Sequence, residues 1–185
     1  MAEEISTFRD LSHELYIRRV RNNDRREIIT IGVSGQNLHY PWITPPLTSQ
    51  TFRNYLKRSQ THQNEGFVVC LQDSDEVVGV INLNDIIRGS FWNCNISYYV
   101  KVEHQGKGFM TQGLRLVIDY AFRTIGLHRI EAAIQPHNVL SKKLVQRCGF
   151  QYEGLARQFL FIDGAWRDHE RWAILDHRKN LTQVK

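Results

Sequence analysis

The spacing of apolar residues changes repeatedly along this chain, and each change predicts an element. In "ELYIRRV" apolar and polar positions alternate, which predicts a first strand. "NDRREIITIGVSGQNLHYPWI" mixes helical spacing with breakers and ends on Pro41 and the Pro45–Pro46 pair. "TSQTFRNYLKRSQ" has a Thr/Ser start and apolar Phe52, Tyr55 and Leu56, the pattern of a short amphipathic helix. "GFVVCLQ" and "EVVGVINLNDIIRG", separated by "DSDE", predict a hairpin, and "SFWNCNISYYV" predicts a further strand beside it. From Met110 the period lengthens. Met110, Leu114, Val117, Ile118, Ala121, Phe122 and Ile125 recur at three and four, one face of a helix that Gly126 ends. "HRIEAAIQ" returns to strand, "NVLSKKLVQRCGF" is a further helix closed by Gly149, and two strands about an Asp163-Gly164 turn complete the chain. The sum is an α+β domain: a mostly antiparallel sheet with helices inserted near its start and in its middle.

Composition narrows the class. The 185 residues hold no repeat, low-complexity tract or Gly/Ser/Pro-rich linker, so one domain over 1–185 is expected, with flexible ends near 1–8 and 178–185. No apolar run approaches the roughly 18 residues of a membrane-spanning helix. "MAEEISTFRD" is acidic and lacks an apolar stretch behind a basic start, so no secretory signal is expected and cytoplasmic residence is the default. Cys70, Cys94 and Cys148 are odd in number and far apart, which suggests neither a metal site nor a disulfide framework. Cys70, within "FVVCL", reads as a strand core residue. The formal net charge of +5 favours an acidic partner, such as a phosphorylated cofactor or a ribonucleoprotein surface, without direct nucleic-acid binding.

Candidate chemistry lies in "EHQGKGFM", where strand turns into helix. Neither named phosphate loop fits. No glycine sits at the upstream position of a Walker loop, and Thr111 stands where a dinucleotide fingerprint needs its third glycine. The physics behind both loops remains. A glycine-rich turn leaves backbone N–H groups unpaired at the positive end of a helix, which favours an anion, and glycines let it approach. A tight turn with a solvated Lys107 is the alternative reading of these residues alone.

The order strand, "Q-x-x-G-x-M", helix, strand, "N-x-x-S", helix, "G-F" resembles the GNAT family of acyl-CoA-dependent N-acetyltransferases over roughly residues 10 to 175. The resemblance implies a sheet with a splayed central strand pair, flanked by about four helices. It implies that the loop of Gln105, Gly106, Lys107, Gly108, Phe109 and Met110 binds the pyrophosphate of acetyl-CoA, with Met110 where the family has a small residue. It also places the pantetheine arm along Tyr99 and Val100 and against Asn138 and Ser141. No metal is implied. "NDIIRGSFWNCNISYYV", "HRIEAAIQPHNVLSKKLVQRCGF" and "LFIDGAWRDHERW" are similar, more narrowly, to the RimJ/RimL ribosomal-protein-alanine N-acetyltransferases. That implies the N-terminal α-amine of a protein, plausibly ribosomal, as acceptor, in a monomer or homodimer. Acceptor contacts are then expected from Tyr40, Trp42, Asp85, Arg88, Ser90, Tyr98 and Asp168.

Acetyl transfer needs a neutral amine, a polarised thioester carbonyl and a donor for the leaving thiolate. A backbone N–H at or beside Val100 would polarise the carbonyl. An α-amine titrates at about 7.7–8.0, so it needs little help from a base. Many family members carry a glutamate where Asn95 stands here; Glu103 is the weak substitute, and the base stays unassigned. His104 and His169 read as surface or hydrogen-bonded residues. Val145 occupies the place of a thiolate-protonating tyrosine in many relatives, which leaves Ser141 as the candidate donor. The alternatives are an acetyltransferase of small amines, such as an antibiotic or polyamine, and a catalytically silent coenzyme A-binding module.

Overall fold

A computed structural model describes residues 8–9 and 14–178. The expected flexible ends lie outside those residues, apart from Phe8 and Arg178. The strands are β1 Phe8–Arg9, β2 Leu15–Arg19, β3 Gln60–Thr61, β4 Asn64–Leu71, β5 Val77–Ile87, β6 Asn93–Val100, β7 Arg129–Ile134, β8 Gln151–Ile162 and β9 Ala165–Leu175. They form one sheet in the order β1-β2-β4-β5-β6-β7-β9-β8, with β3 paired to β4 beside that path. The helices are α1 Arg25–Ser34, α2 Gln36–His39, α3 Ser49–Arg58, α4 Phe109–Tyr120 and α5 Val139–Arg147. Among the described residues, no helix is long and apolar enough to cross a membrane.

Every pairing is antiparallel except β6 with β7, which the α4 crossover makes parallel. That parallel pairing covers only Asn93–Asn95 against Arg129–Glu131. Beyond it β6 runs on to Val100 and β7 to Ile134 without bonding each other. A gap therefore opens in the middle of the sheet, as the resemblance implied.

Helices cover both faces. α4 and α5 pack over Phe67, Val69, Ile81, Leu83, Cys94, Ile96, Ile130 and Ala132; α1 and α3 pack over Tyr16, Val68, Cys70, Val80 and Tyr99. Burial on both faces is why β4 reads as a continuous apolar run rather than an alternation. Cys70 is a core residue, its thiol pushed up to about 11 by burial. On α4 the buried positions are Met110, Gly113, Leu114, Val117, Ile118 and Tyr120, the predicted face plus a glycine and a tyrosine. The predicted single helix to Ile125 instead widens into a π-turn over Ala121–Ile125, closed by Gly126 at φ +81. The wider turn keeps Ala121 and Phe122 in the core.

Gly113 sets how closely α4 approaches β4. A Cβ there would lie 2.7 Å from Cγ2 of Val69. Gly113→Ala is expected to lower unfolding stability by ~1–3 kcal/mol, the range for overpacking a tight core, as read by denaturant titration. The breakers before Pro41 have a related cause. Gly35 caps α1 where a Cβ would meet the His39 ring at 2.4 Å, so a glycine that looked like a loop residue makes room for a buried imidazole.

Candidate active site

Backbone alternation fixes what faces the gap. Lys101 N–H donates to Val78 O at 2.8 Å, so odd-numbered peptide groups of β6 bond to β5. Those of Tyr98 and Val100 therefore turn towards β7, where no ladder continues. Val100 O accepts from His39 Nε2 at 3.0 Å, which pins α2 against the gap. The His39 ring also meets Tyr99 edge-on.

After β6 the chain makes a 3₁₀ turn, Val102–His104, and enters the loop. His104 is buried, and its Nε2 bonds Glu76 Oε1 at 3.0 Å; Lys101 Nζ donates to the same oxygen at 2.5 Å. These two partners hold the Glu76 carboxyl below its usual range and fix the loop to the β4–β5 hairpin. Gly106 and Gly108 adopt φ +77 and +83, and no atom lies within 4 Å of a Cβ built on either. Thr111 and Gln112 N–H donate back to Gly108 O. No acceptor among the described residues meets the N–H groups of Gly108, Phe109 and Met110 at the start of α4. Three donors, a helix dipole and open space above them form an anion seat.

The first cavity, of 290 Å³, runs from this seat along the gap to α5. Tyr99, Val100, Gln105, Gly106, Gly108, Met110, Asn138 and Ser141, eight of the ten expected cofactor contacts, line it. Asn138 caps α5, its Oδ1 accepting from Ser141 N–H at 3.1 Å, and Ser141 Oγ meets the Tyr98 hydroxyl at 2.6 Å. Arg147 adds a cation at the wall. Lys107 and Phe109 are absent from the lining: Lys107 is exposed, and the Phe109 ring packs on His104 and the core. Val145 is fully buried, so nothing polar stands at that helix position.

A second cavity, of 490 Å³, lies on the α1/α3 face. Its polar wall is a ladder across β5 and β6: Tyr55 OH donates to Asn82 Oδ1 at 2.8 Å, and Asn84 Nδ2 to Ser97 Oγ at 3.0 Å. Asn95, Tyr99, Phe159 and His169 complete it, with Asp85 as its one carboxylate and Arg58 as its one guanidinium. The Tyr99 hydroxyl is buried and has no hydrogen-bond partner among the described residues. His169 is also buried, and its Nδ1 lies 3.0 Å from Arg167 O. A carbonyl only accepts, so Nδ1 carries the proton and Nε2 is the ring's acceptor. Burial lowers the pKa of His169 and outweighs the adjacent Asp168, so the ring is neutral at pH 7. Trp42 borders both cavities.

Of the expected acceptor contacts, only Trp42 and Asp85 line this second cavity. Tyr98 points to the opposite face, against Ser141. Tyr40 is exposed and bonds Asp163 of the β8–β9 turn, and Arg88 Nη1 donates to His62 O at 3.0 Å. Ser90 sits on an exposed turn. Asp168 Oδ1 accepts from Gln158 N–H at 2.8 Å and so shapes the β8 bulge. Glu103 is exposed and lines neither cavity. Sequence reasoning missed the ladder from Tyr55 to Ser97 and the placement of His169. The only signal in the chain is the odd parity that Asn95, Ser97 and Tyr99 share along one strand.

The family model for the acetyltransferase (GNAT) domain matches residues 14–151. The [ribosomal protein uS5]-alanine N-acetyltransferase of Escherichia coli (strain K12) is 44% identical over 114 residues, 60% of this chain and 59% of that protein. The chain is thus matched over less than two thirds of that relative's length. Mycobacterium smegmatis RimJ in complex with CoA-disulfide superposes with a TM-score of 0.80 at 28% identity, covering 97% of this chain and 89% of that one. Spermidine N-acetyltransferase from Vibrio cholerae, with CoA and spermine, superposes at 0.75 and 26% identity, covering 88% and 95%. With a splayed sheet, an anion seat at α4 and this match across most of its length, the chain belongs to the GNAT acetyltransferase family and is an N-acetyltransferase.

Proposed function

We propose that the protein transfers an acetyl group from acetyl-CoA to the N-terminal α-amine of a protein, plausibly a ribosomal one. The observation that carries the acceptor is the lining of the second cavity, where Asp85 is the one carboxylate, at an exposed edge, among neutral asparagine, serine and tyrosine groups. One carboxylate matches one α-ammonium. A polyamine brings several ammonium groups, which a single carboxylate does not match, and the Arg58 guanidinium in the same lining adds a like charge. The [ribosomal protein uS5]-alanine N-acetyltransferase is a relative whose name points to a protein acceptor. The spermidine enzyme keeps a small-amine acceptor as the rival reading.

The loop donors and the open space over Gly106 and Gly108 fit a pyrophosphate, which supports acetyl-CoA as cosubstrate. When bound, it supplies the thioester that is attacked. Gly108, Phe109 and Met110 hold the pyrophosphate by their N–H groups. The gap-facing peptide groups of Tyr98 and Val100 bond the pantetheine arm, and Val100 N–H polarises the thioester carbonyl as a fixed donor. The Ser141 hydroxyl donates a hydrogen bond to the departing sulfur. Asp85 holds the incoming ammonium, and His169 Nε2 accepts the proton that the nitrogen sheds.

Acetyl transfer to alanine-first peptides should exceed transfer to spermidine by at least ~10-fold in kcat/KM, equivalent to about 1.4 kcal/mol. Turnover of spermidine with inert peptides would favour the small-amine reading.

A further inference from the structure

We infer that Tyr98 is a positioning residue for thiol departure, its phenol donating to Ser141 Oγ so that the serine's own proton faces the first cavity. This deepens the reading above and rests on its placement of Ser141 beside the sulfur. The two oxygens lie 2.6 Å apart, and the phenol also reaches Ser141 O at 3.5 Å. Among the described residues the Tyr98 hydroxyl meets no group other than these two oxygens of Ser141. A carbonyl can only accept, so the phenol proton lies on the side that Ser141 occupies.

The consequence for Ser141 is directional. A hydroxyl has one proton and two lone pairs. With a lone pair engaged by Tyr98, the proton is left to point elsewhere. The backbone at Ser141 is already settled by the Asn138 cap, so the side chain is not drawn into closing the helix. Both residues line the first cavity. Donation into the serine oxygen also polarises its O–H, which strengthens the bond it gives to a developing thiolate.

Tyr98 does not itself surrender its proton. Burial holds its phenol well above the ordinary range, so a phenolate there would be costly. The balance is therefore simple. The amine nitrogen bonds the acetyl carbon, the C–S bond breaks, and sulfur leaves with the bonding pair. The proton lost by nitrogen passes to His169 Nε2 and from there, by way of solvent, to sulfur, while both hydroxyls keep theirs. The arrangement restores a phenol to the thiolate side in a chain whose α5 presents buried Val145.

The test is a double-mutant cycle read in kcat and in KM for acetyl-CoA. Tyr98→Phe should lower kcat about 5- to 10-fold with KM within about twofold, the loss of one preorganised hydrogen bond. In a Ser141→Ala background the same change should cost nothing further. An acetyl thioester of a more acidic thiol should show a smaller deficit, because a better leaving group needs less help. An unchanged kcat in Tyr98→Phe, or an equal loss with and without Ser141, overturns the inference. Loss confined to KM, the sign of a purely packing role, does the same. If Ser141→Ala alone leaves kcat unchanged, the placement of Ser141 beside the sulfur fails instead. Should Tyr98→Phe not fold, 3-fluorotyrosine at 98 keeps the ring and donates more strongly. It should hold kcat at or above the wild-type value, and a fall of fivefold or more would overturn the proposal.

Discussion

Replacing Gly108 by aspartate should raise the dissociation constant for acetyl-CoA about 100-fold, whereas asparagine at the same place should raise it less than tenfold. The residue caps α4 at φ +83, a left-handed conformation that Asn and Asp accept at a cost of ~1–2 kcal/mol. No atom lies within 4 Å of the Cβ position, so neither side chain collides with the fold. The two variants share shape and backbone strain and differ in one charge. A carboxylate ~5 Å from a phosphate oxygen, at an effective dielectric near 20, is repelled by about 3 kcal/mol, or 100-fold in affinity. Calorimetry on variants whose circular dichroism matches the parent checks both numbers. Equal losses would show that strain acts rather than charge, and unchanged affinity for both would remove the loop from pyrophosphate binding.

The loop was legible in the sequence because its signals are local. Glycines at 106 and 108, a helical period starting at Met110 and a strand ending at Val100 fall within a dozen residues. The second cavity is a different kind of object. Its wall takes Asn82 and Asn84 from β5, Asn95, Ser97 and Tyr99 from β6, and His169 from β9. Only the sheet order brings these together, and the parallel β6–β7 pairing with its early end is invisible in any one strand. Parity explains why Tyr98 does not line the second cavity. Tyr98 and Tyr99 are neighbours in sequence, so the pleat sends them to opposite faces, one to Ser141 and the other to the α1/α3 side. Nothing in "NISYYV" states which face holds the acceptor.

Asp168 stays outside that lining for another reason. Asp168 lies one residue before the histidine that does line the cavity, and its carboxylate is engaged by Gln158 N–H. Gln158 has φ +48, within a register shift between Ala156 and Leu160 that lets β8 bend. A bulge depends on how two strands disagree in length, which pattern reading of either strand does not report. The same bend carries Phe159 over the cavity, where its ring meets His169 at 6.0 Å and the Arg171 guanidinium at 4.7 Å.

His169→Gln should lower kcat/KM for an alanine-first peptide about 10- to 100-fold at pH 7, the lower part of the range for a positioned base. Glutamine can keep a hydrogen bond to Arg167 O yet takes up no proton, so packing is preserved while basicity is lost. The sign of the pH dependence follows from burial. The folded pKa lies below the ordinary value of 6.5, so the imidazole is an available base at pH 7 and is lost only as pH falls below about 6.5. What pulls it upward against burial is the hydrogen bond to Arg167 O and, after it, the charge of Asp168. The parent's kcat/KM should therefore show two acid-side steps: the acceptor amine near 7.7–8.0, and the imidazole lower down. His169→Gln should retain the first step and lose the second. Folding stability shares the second step, because the unfolded chain binds the proton first; the parent should lose stability as pH falls from about 6.5, and the variant less. Above pH 9, where the amine is already neutral, the deficit should persist, since the nitrogen must still shed a proton after attacking the carbonyl. A deficit that vanishes at high pH would mean that His169 only helps deprotonate the incoming ammonium, and kcat/KM within twofold at every pH would leave solvent as the proton acceptor.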